Sequence, residues 1–351
     1  MTGLVVTGFG VLSPAGIGAE ALDGALAGRT DVPAVAEDGF PPSGAYRLDG
    51  FRIRDHLGRK GTSTLDRCTG MAVVACGQAL ADSGIEVDDG NRRRIGVALG
   101  TTMGSFQSTS EYSRETLVQE RPYLVNPMLF PNTVMNCAAG QCAIWHGLKG
   151  VNATLAGGPL AFFSSLRYAA NALNRGYADT VLCGAVEELT GYRAWANHLG
   201  GGTGTGEGAA VLALERQPAP GRRVVAEILA VTTGFAPDPG TVADALAGCV
   251  ARALHRAGLA MDGVALVVTG AEDDVLRKAL PDGCVPRLSI AATFGECDAA
   301  SGALQAAAVL AGHRSDPSRD GQVSLLAGYT ARGGVAAVLL RGWSGGGTAG
   351  R

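Results

Sequence analysis

The sequence is poor in the residues that most chemistry needs. It has five histidines (His56, His146, His198, His255 and His313) in 351 residues, scattered without the spacing of a metal site. Eight cysteines (Cys68, Cys76, Cys137, Cys142, Cys183, Cys249, Cys284 and Cys297) include no C-x-x-C pair and sit mostly among Ala, Val and Met. They read as small buried hydrophobes in a reducing compartment, and neither a metal nor any other cofactor is expected. A formal net charge of −3 gives no basis for binding nucleic acid. No run of about 18 apolar residues is present, so no membrane span is expected. The N-terminal "MTGLVVTGFGVLSPAG" lacks the basic start of a secretion signal and reads as a first strand, which makes the cytoplasm the expected location.

Small and aliphatic residues are abundant instead. Glycine occurs 53 times and AVILMFWYC make up 46% of the chain, against 5% aromatics, a composition suited to helices packed closely on sheets. The length exceeds that of one ordinary core, which predicts two units. The basic clusters "RIRDHLGRK" (52–60) and "NRRRIG" (91–96) are solvated faces or a dock for an acidic partner.

The chain also repeats itself. "ALADSGIEVDDGNRRRIGVALGTT" (79–102) and "ALHRAGLAMDGVALVVTGA" (253–271) both read as a helix, a glycine cap, an acidic loop and a buried strand. "GGTGTGEGAAVLALER" (201–216) is echoed by "AGYTARGGVAAVLLRG" (327–342), and "GGPLAFFSSLRYAANAL" (157–173) by "CDAASGALQAAAVLAG" (297–312). Three echoes in one order predict a duplicated α/β unit, with residues 1–216 and 222–342 as its halves, a linker in "ERQPAPGRR" (215–223) and a flexible tail over 343–351.

One stretch raises a question of chemistry. "GVNATLAGGPLAFFSSLRYAANALNRG" (150–176) reads as a strand, a Gly-Gly turn and a helix that begins with a proline. Such a turn presents one side chain at its tip, and here the tip is Pro159.

"LVVTGFGVLSPAGIG" (4–18), "FPNTVMNCAAGQCAIWHGLKG" (130–150) and "ADTVLCGAVEE" (178–188) resemble, in turn, the N-terminal signature of β-ketoacyl synthases, the segment before their nucleophile and the strand after it. The likeness runs from Met1 to about Gly342. It implies an α/β thiolase-like fold, a duplicated βαβαβαββ unit in a five-layer αβαβα sandwich. It also implies an acyl-transferring condensation on a nucleophilic cysteine, assisted by a lysine and two histidines. The cysteine position falls on Pro159, the lysine and second histidine positions on Ala291 and Glu296 in "IAATFGECDAASGALQ" (290–305), and the strand that should end in His-Gly-Thr ends as "VVTGAEDD" (267–274). A proline brings neither a nucleophile nor the backbone N–H that the family uses for its oxyanion hole, and a carboxylate at 296 would repel an enolate.

Members of the family that have lost the cysteine include the chain length factors of type II polyketide synthases. These pair as a heterodimer with a catalytic ketosynthase, meet an acyl carrier protein through that complex and shape the acyl tunnel. Such members commonly carry Gln at the lost position, and the loops after 202 and after Thr269 are trimmed here, which leans toward polyene-forming members. The resemblance puts Phe106, Thr109 and Ser113 on the tunnel floor, at i, i+3 and i+7 on one helical face. Met103 and Tyr329 become gate candidates, and Asn132, Met135, Asn136 and Gln141 the dimer seam. Two other readings stay open: an enzyme with a relocated nucleophile, Cys297 at a helix start, and a homodimer that binds acyl chains or carrier protein without catalysis.

Overall fold

The computed structural model describes residues 3–271, 273–280 and 285–345. Cys284, Glu272 and the part of the expected tail from 346 onward lie outside the described residues.

The first half runs β1 (Leu4–Ser13), α1 (Arg67–Ser83), β2 (Ile95–Thr101), α2 (Phe106–Val118), α3 (Cys137–His146), β3 (Asn152–Ala156), α4 (Ala161–Asn174), β4 (Thr180–Glu187), α5 (Gly191–Leu199) and β5 (Gly208–Glu215). The second runs β6 (Ala226–Phe235), α6 (Val242–Ala257), β7 (Val264–Thr269), α7 (Asp274–Ala279), β8 (Arg287–Ser289), α8 (Ala299–Ser315), β9 (Val323–Tyr329) and β10 (Gly334–Gly342). Strand order is β3-β2-β4-β5-β1 in the first half and β8-β7-β9-β10-β6 in the second. Numbered within its half, each is 3-2-4-5-1, with the first two pairings of that order parallel and the last two antiparallel. One connectivity built twice is what the sequence echoes predict. β1 and β6 pair over Leu4–Val6 and link the half-sheets.

Three cores define the layers. α1 covers the outer face of the first sheet, with Met71, Val73 and Cys76 packed on Leu99, Leu182 and Val211. α6 covers the second, with Leu246, Cys249 and Val250 on Leu325, Ala337 and Leu339. Between the sheets lie α4 and α8, where Phe162, Phe163 and Leu166 meet Leu304, Leu212 and Val338. The sequence of α8 predicts a single apolar face, yet every residue from Ala299 to His313 is buried. A helix enclosed by a sheet on each side has no wet face, and its small residues allow that approach. A Cβ on Gly302 would stand 2.8 Å from the Phe163 ring, so this contact requires glycine.

The helix ends follow local chemistry. The Asp66 carboxylate accepts from Thr69 N to cap α1, and Gly84 and Gly258 close α1 and α6 in the left-handed conformation. No helix among the described residues is long and apolar enough to cross a membrane.

Candidate functional site

The elbow sits where the halves meet. β3 ends at Ala156, Gly157 N donates to Thr101 O (3.1 Å), and a single 3-10 turn, Gly158–Leu160, leads into α4. The α-helix therefore starts at Ala161 rather than at the proline expected from the sequence. The turn closes through Leu160 N to Gly157 O and Ala161 N to Gly158 O, bonds that need no N–H from residue 159. Gly158, at φ 53°, makes the bend, and the Pro159 ring is exposed at its tip. Leu160 anchors the turn against β9 and β10, so tightly that a Cβ on Gly334 would lie 2.8 Å from its Cδ1.

The other positions implied by the resemblance do not supply the missing chemistry. Ala291 donates its N–H to Gly270 O (2.8 Å) in the connection after β8. Glu296 is half-buried, its backbone bonded to Gly204 and Gly206, and its carboxyl is pushed up by burial and by Asp298, against the pull of Arg193. All five histidines are placed elsewhere: His56 on Phe51, His146 on Val73 O, His198 on Trp195, His255 on the outer helix α6 and His313 against Gly342.

The setting of Cys297 does not favour a relocated nucleophile. Its thiol is fully buried, faces the carbonyls of Glu207, Phe294 and Gly295, and is pushed well up by burial. Proximity to a helix start predicts a lowered thiol, but loss of water dominates here, with Asp298, Glu207 and Glu187 adding to it against Arg193.

The α2 face is no dry core. Phe106 is half-buried and stands edge-on to Tyr192, Thr109 donates its hydroxyl to Ser105 O (2.8 Å), and Ser113 is exposed. Met103 is exposed in the turn before this helix. Tyr329, at the end of β9, is tied down: its hydroxyl donates to Asp273, which also caps α7.

The expected seam residues divide. Met135 and Asn136 are exposed on this chain and Gln141 is half-buried. Asn132 is buried, and it is satisfied within its own chain, donating to Thr64 O (3.0 Å) and accepting from Cys137 Sγ (3.4 Å). Its amide braces the α2–α3 connection against Thr64.

A set of buried carboxylates was not anticipated. Glu187 ends β4, Glu188 follows it, and Glu207 precedes β5. Glu207 is held by Arg67 (Nε 2.9 Å) and by Leu48 N and Leu189 N. Glu187 accepts from Thr102 Oγ1 (2.5 Å), Thr102 N and Ala299 N, and Glu188 from Ser105 Oγ, Gln107 N and Cys68 N. Burial pushes both up to about 7. Arg193 crosses the cluster, donating to Asp298 Oδ2 (2.6 Å), Glu188 O (3.0 Å) and Gly206 O. The signal was the Glu-Glu that closes an otherwise apolar strand, since a carboxylate there has no water to face and must find donors.

Fold and site together define a thiolase-fold condensing-enzyme scaffold whose elbow carries a side chain unable to hold an acyl group. Residues 1–199 match the family model for the β-ketoacyl synthase N-terminal domain, and the chain belongs to that family. Among curated proteins it is similar to 3-oxoacyl-[acyl-carrier-protein] synthase 2 of Vibrio cholerae, 30% identical over 191 residues, which are 53% of this chain and 46% of the relative. It is similarly related to the same enzyme of Staphylococcus aureus, 30% identical over 52% of this chain and 45% of the relative. The chain thus spans about half the length of the curated relatives it matches. Among solved structures, the ishigamide ketosynthase/chain length factor superposes with a TM-score of 0.84 at 31% identity, over 97% of this chain and 99% of that one. A ketosynthase solved in complex with its type II polyketide synthase acyl-carrier protein superposes at 0.81 with 19% identity over the same shares, a likeness of fold.

Proposed function

We propose that this chain is a chain length factor, the ketosynthase-like subunit that pairs with a cysteine-bearing ketosynthase of a type II polyketide synthase and shapes its acyl tunnel. One observation carries the reading. Pro159 stands at the tip of an intact elbow, so the scaffold is kept while the acyl-carrying atom is gone. Ala291 and Glu296 agree with it, because restoring a thiol alone would supply neither a proton donor nor an enolate stabiliser.

The surface supports a partner. Leu117, Leu124, Met128, Phe130, Met135 and Ile144 are exposed on α2, α3 and the segment between them. Among the described residues β3 pairs only with β2, leaving one edge of the sheet open beside the elbow. A monomer seldom leaves such a face uncovered, and an open edge is a template for another strand. A ketosynthase of the same fold, docked here, would aim its acyl chain toward α2, where Phe106, Thr109 and Ser113 form a floor of graded polarity.

The carrier protein that would serve the complex is acidic in chemistry if it uses the groove beside residues 52–67. That groove is lined by Arg52, Arg54, Arg59 and Arg67, the first three of them exposed and without an ion pair among the described residues. The trimmed loops fit a polyene-type product.

The test is product length. Ser113→Trp in the reconstituted complex shortens the polyketide released, read by mass spectrometry, while the complex still assembles. Assembly with unchanged product length would remove α2 from the tunnel.

A further inference from the structure

One buried titratable group stands apart from the carboxylate cluster: His313, in the last turn of α8 and about 20 Å along that helix from Ala299. It is only 3% exposed. Gly342 of β10 closes on one side of the ring, where a Cβ would stand 2.3 Å from Cδ2. Nδ1 is buried with no hydrogen-bond partner among the described residues. A neutral imidazole keeps one bare nitrogen, and a sealed N–H costs more than a sealed lone pair, so the proton belongs on Nε2. Nε2 itself is not sealed, and it bonds to no described residue.

A cavity of about 330 Å³ opens at this ring. Its apolar wall is Leu266 of β7 and Val309 of α8, and its deep polar groups are His313 and Ser324. Ser324 is also 3% exposed; the alternation of β9 turns it with Leu326 toward the inner core, while Val323 and Leu325 join the outer one. Its hydroxyl, like Nε2, is neither sealed nor bonded among the described residues. At the mouth Asp316 Oδ2 and Arg319 Nε pair at 3.2 Å. Burial holds the imidazole below its ordinary range, with Arg319 adding to it against Asp320 and Asp316. The deep end is therefore uncharged, and a carboxylate or ammonium placed there would give up water without a counter-ion.

The volume is at the small end of ligand pockets, roughly 300–1,000 Å³, and suits one ring rather than a long chain. A hydroxyl suits both polar groups at once, because it can accept from Nε2 and donate to Ser324 Oγ. We infer that this cavity binds an uncharged ligand of the phenol class, its ring on Leu266 and Val309 and its hydroxyl between His313 and Ser324.

Titration of the full chain with phenol, toluene and benzoate, read by saturation-transfer NMR, tests this. Phenol binds with a dissociation constant on the order of 1 mM. Toluene and benzoate bind at least about tenfold more weakly, the first for want of two hydrogen bonds and the second for its buried charge. Ser324→Ala weakens phenol about three- to tenfold and leaves toluene unchanged. Leu266→Trp, at a half-buried position, fills the space and abolishes phenol binding. Phenol held no more tightly than toluene, or held equally by a folded Leu266→Trp chain, would overturn the proposal. Should neither variant fold, crystals of the wild-type chain soaked in 4-bromophenol decide it: bromine beside Leu266 and His313 is expected, and its absence from this cavity would overturn the assignment. No partner subunit is needed, so failure here leaves the reading as a chain length factor untouched.

Discussion

Replacing Arg193 by leucine is the sharpest test of how the interior of this site is held. The guanidinium makes three bonds at once, to Asp298 Oδ2, Glu188 O and Gly206 O, and its side chain is only 10% exposed. Leucine fills much of the volume and satisfies none of them. Two carbonyls lose their donor, and Glu187 loses the one cation that draws its carboxyl down against burial and Asp298. Removing one partner of a buried ion pair costs about 3–5 kcal/mol, a range that already includes stranding the remaining charge. Arg193→Lys keeps the charge but cannot reach three acceptors with one ammonium, and loses about 1–2 kcal/mol, the worth of one or two hydrogen bonds. Urea unfolding at fixed protein concentration, followed by tryptophan fluorescence, reads both, and Trp195 on the same helix is a local reporter. The leucine variant's deficit shrinks as the buffer is acidified, because Glu187 then carries a proton and needs no cation. A loss below about 1 kcal/mol, or one that grows in acid, would refute the argument that this guanidinium offsets buried charge.

Two further outcomes follow from the same geometry. Cys297 stays unmodified when the native protein is treated with a maleimide, while half-buried Cys137 reacts first among the described cysteines; mass spectrometry of the labelled peptides decides, and fast labelling of Cys297 in folded protein would revive the relocated nucleophile. Pro159→Cys gains an alkylatable thiol at an exposed turn but no condensing or decarboxylating activity, since Ala291 and Glu296 remain; release of carbon dioxide from malonyl carrier protein would contradict this.

Much of the fold was legible because duplication writes itself twice. The left-handed glycines at 84 and 258, the small-residue starts of α4 and α8, and the Gly-rich turns before β5 and β10 mark the same events in each half. Pro159 was legible too, since a Gly-Gly turn between strand and helix fixes which side chain is at the tip. The rest depends on contacts distant in sequence. Nothing near Asn132 reveals that Thr64 O takes its amide, and a helix start beside Cys297 says nothing of the sheet and loops that exclude water from it. The all-round burial of α8 is equally invisible locally, because it arises only when the second sheet closes over the first. Arg193 reads as an ordinary charge in a short helix until Asp298, 105 residues later, is folded against it.

The central claim is that this subunit works in a pair with a cysteine-bearing ketosynthase. Native mass spectrometry of the tagged chain, isolated at native expression level from the producing cell, tests it most directly. The account predicts a one-to-one complex whose second member has the same fold with cysteine where this chain has Pro159. A homodimer alone, with no ketosynthase present, would contradict it.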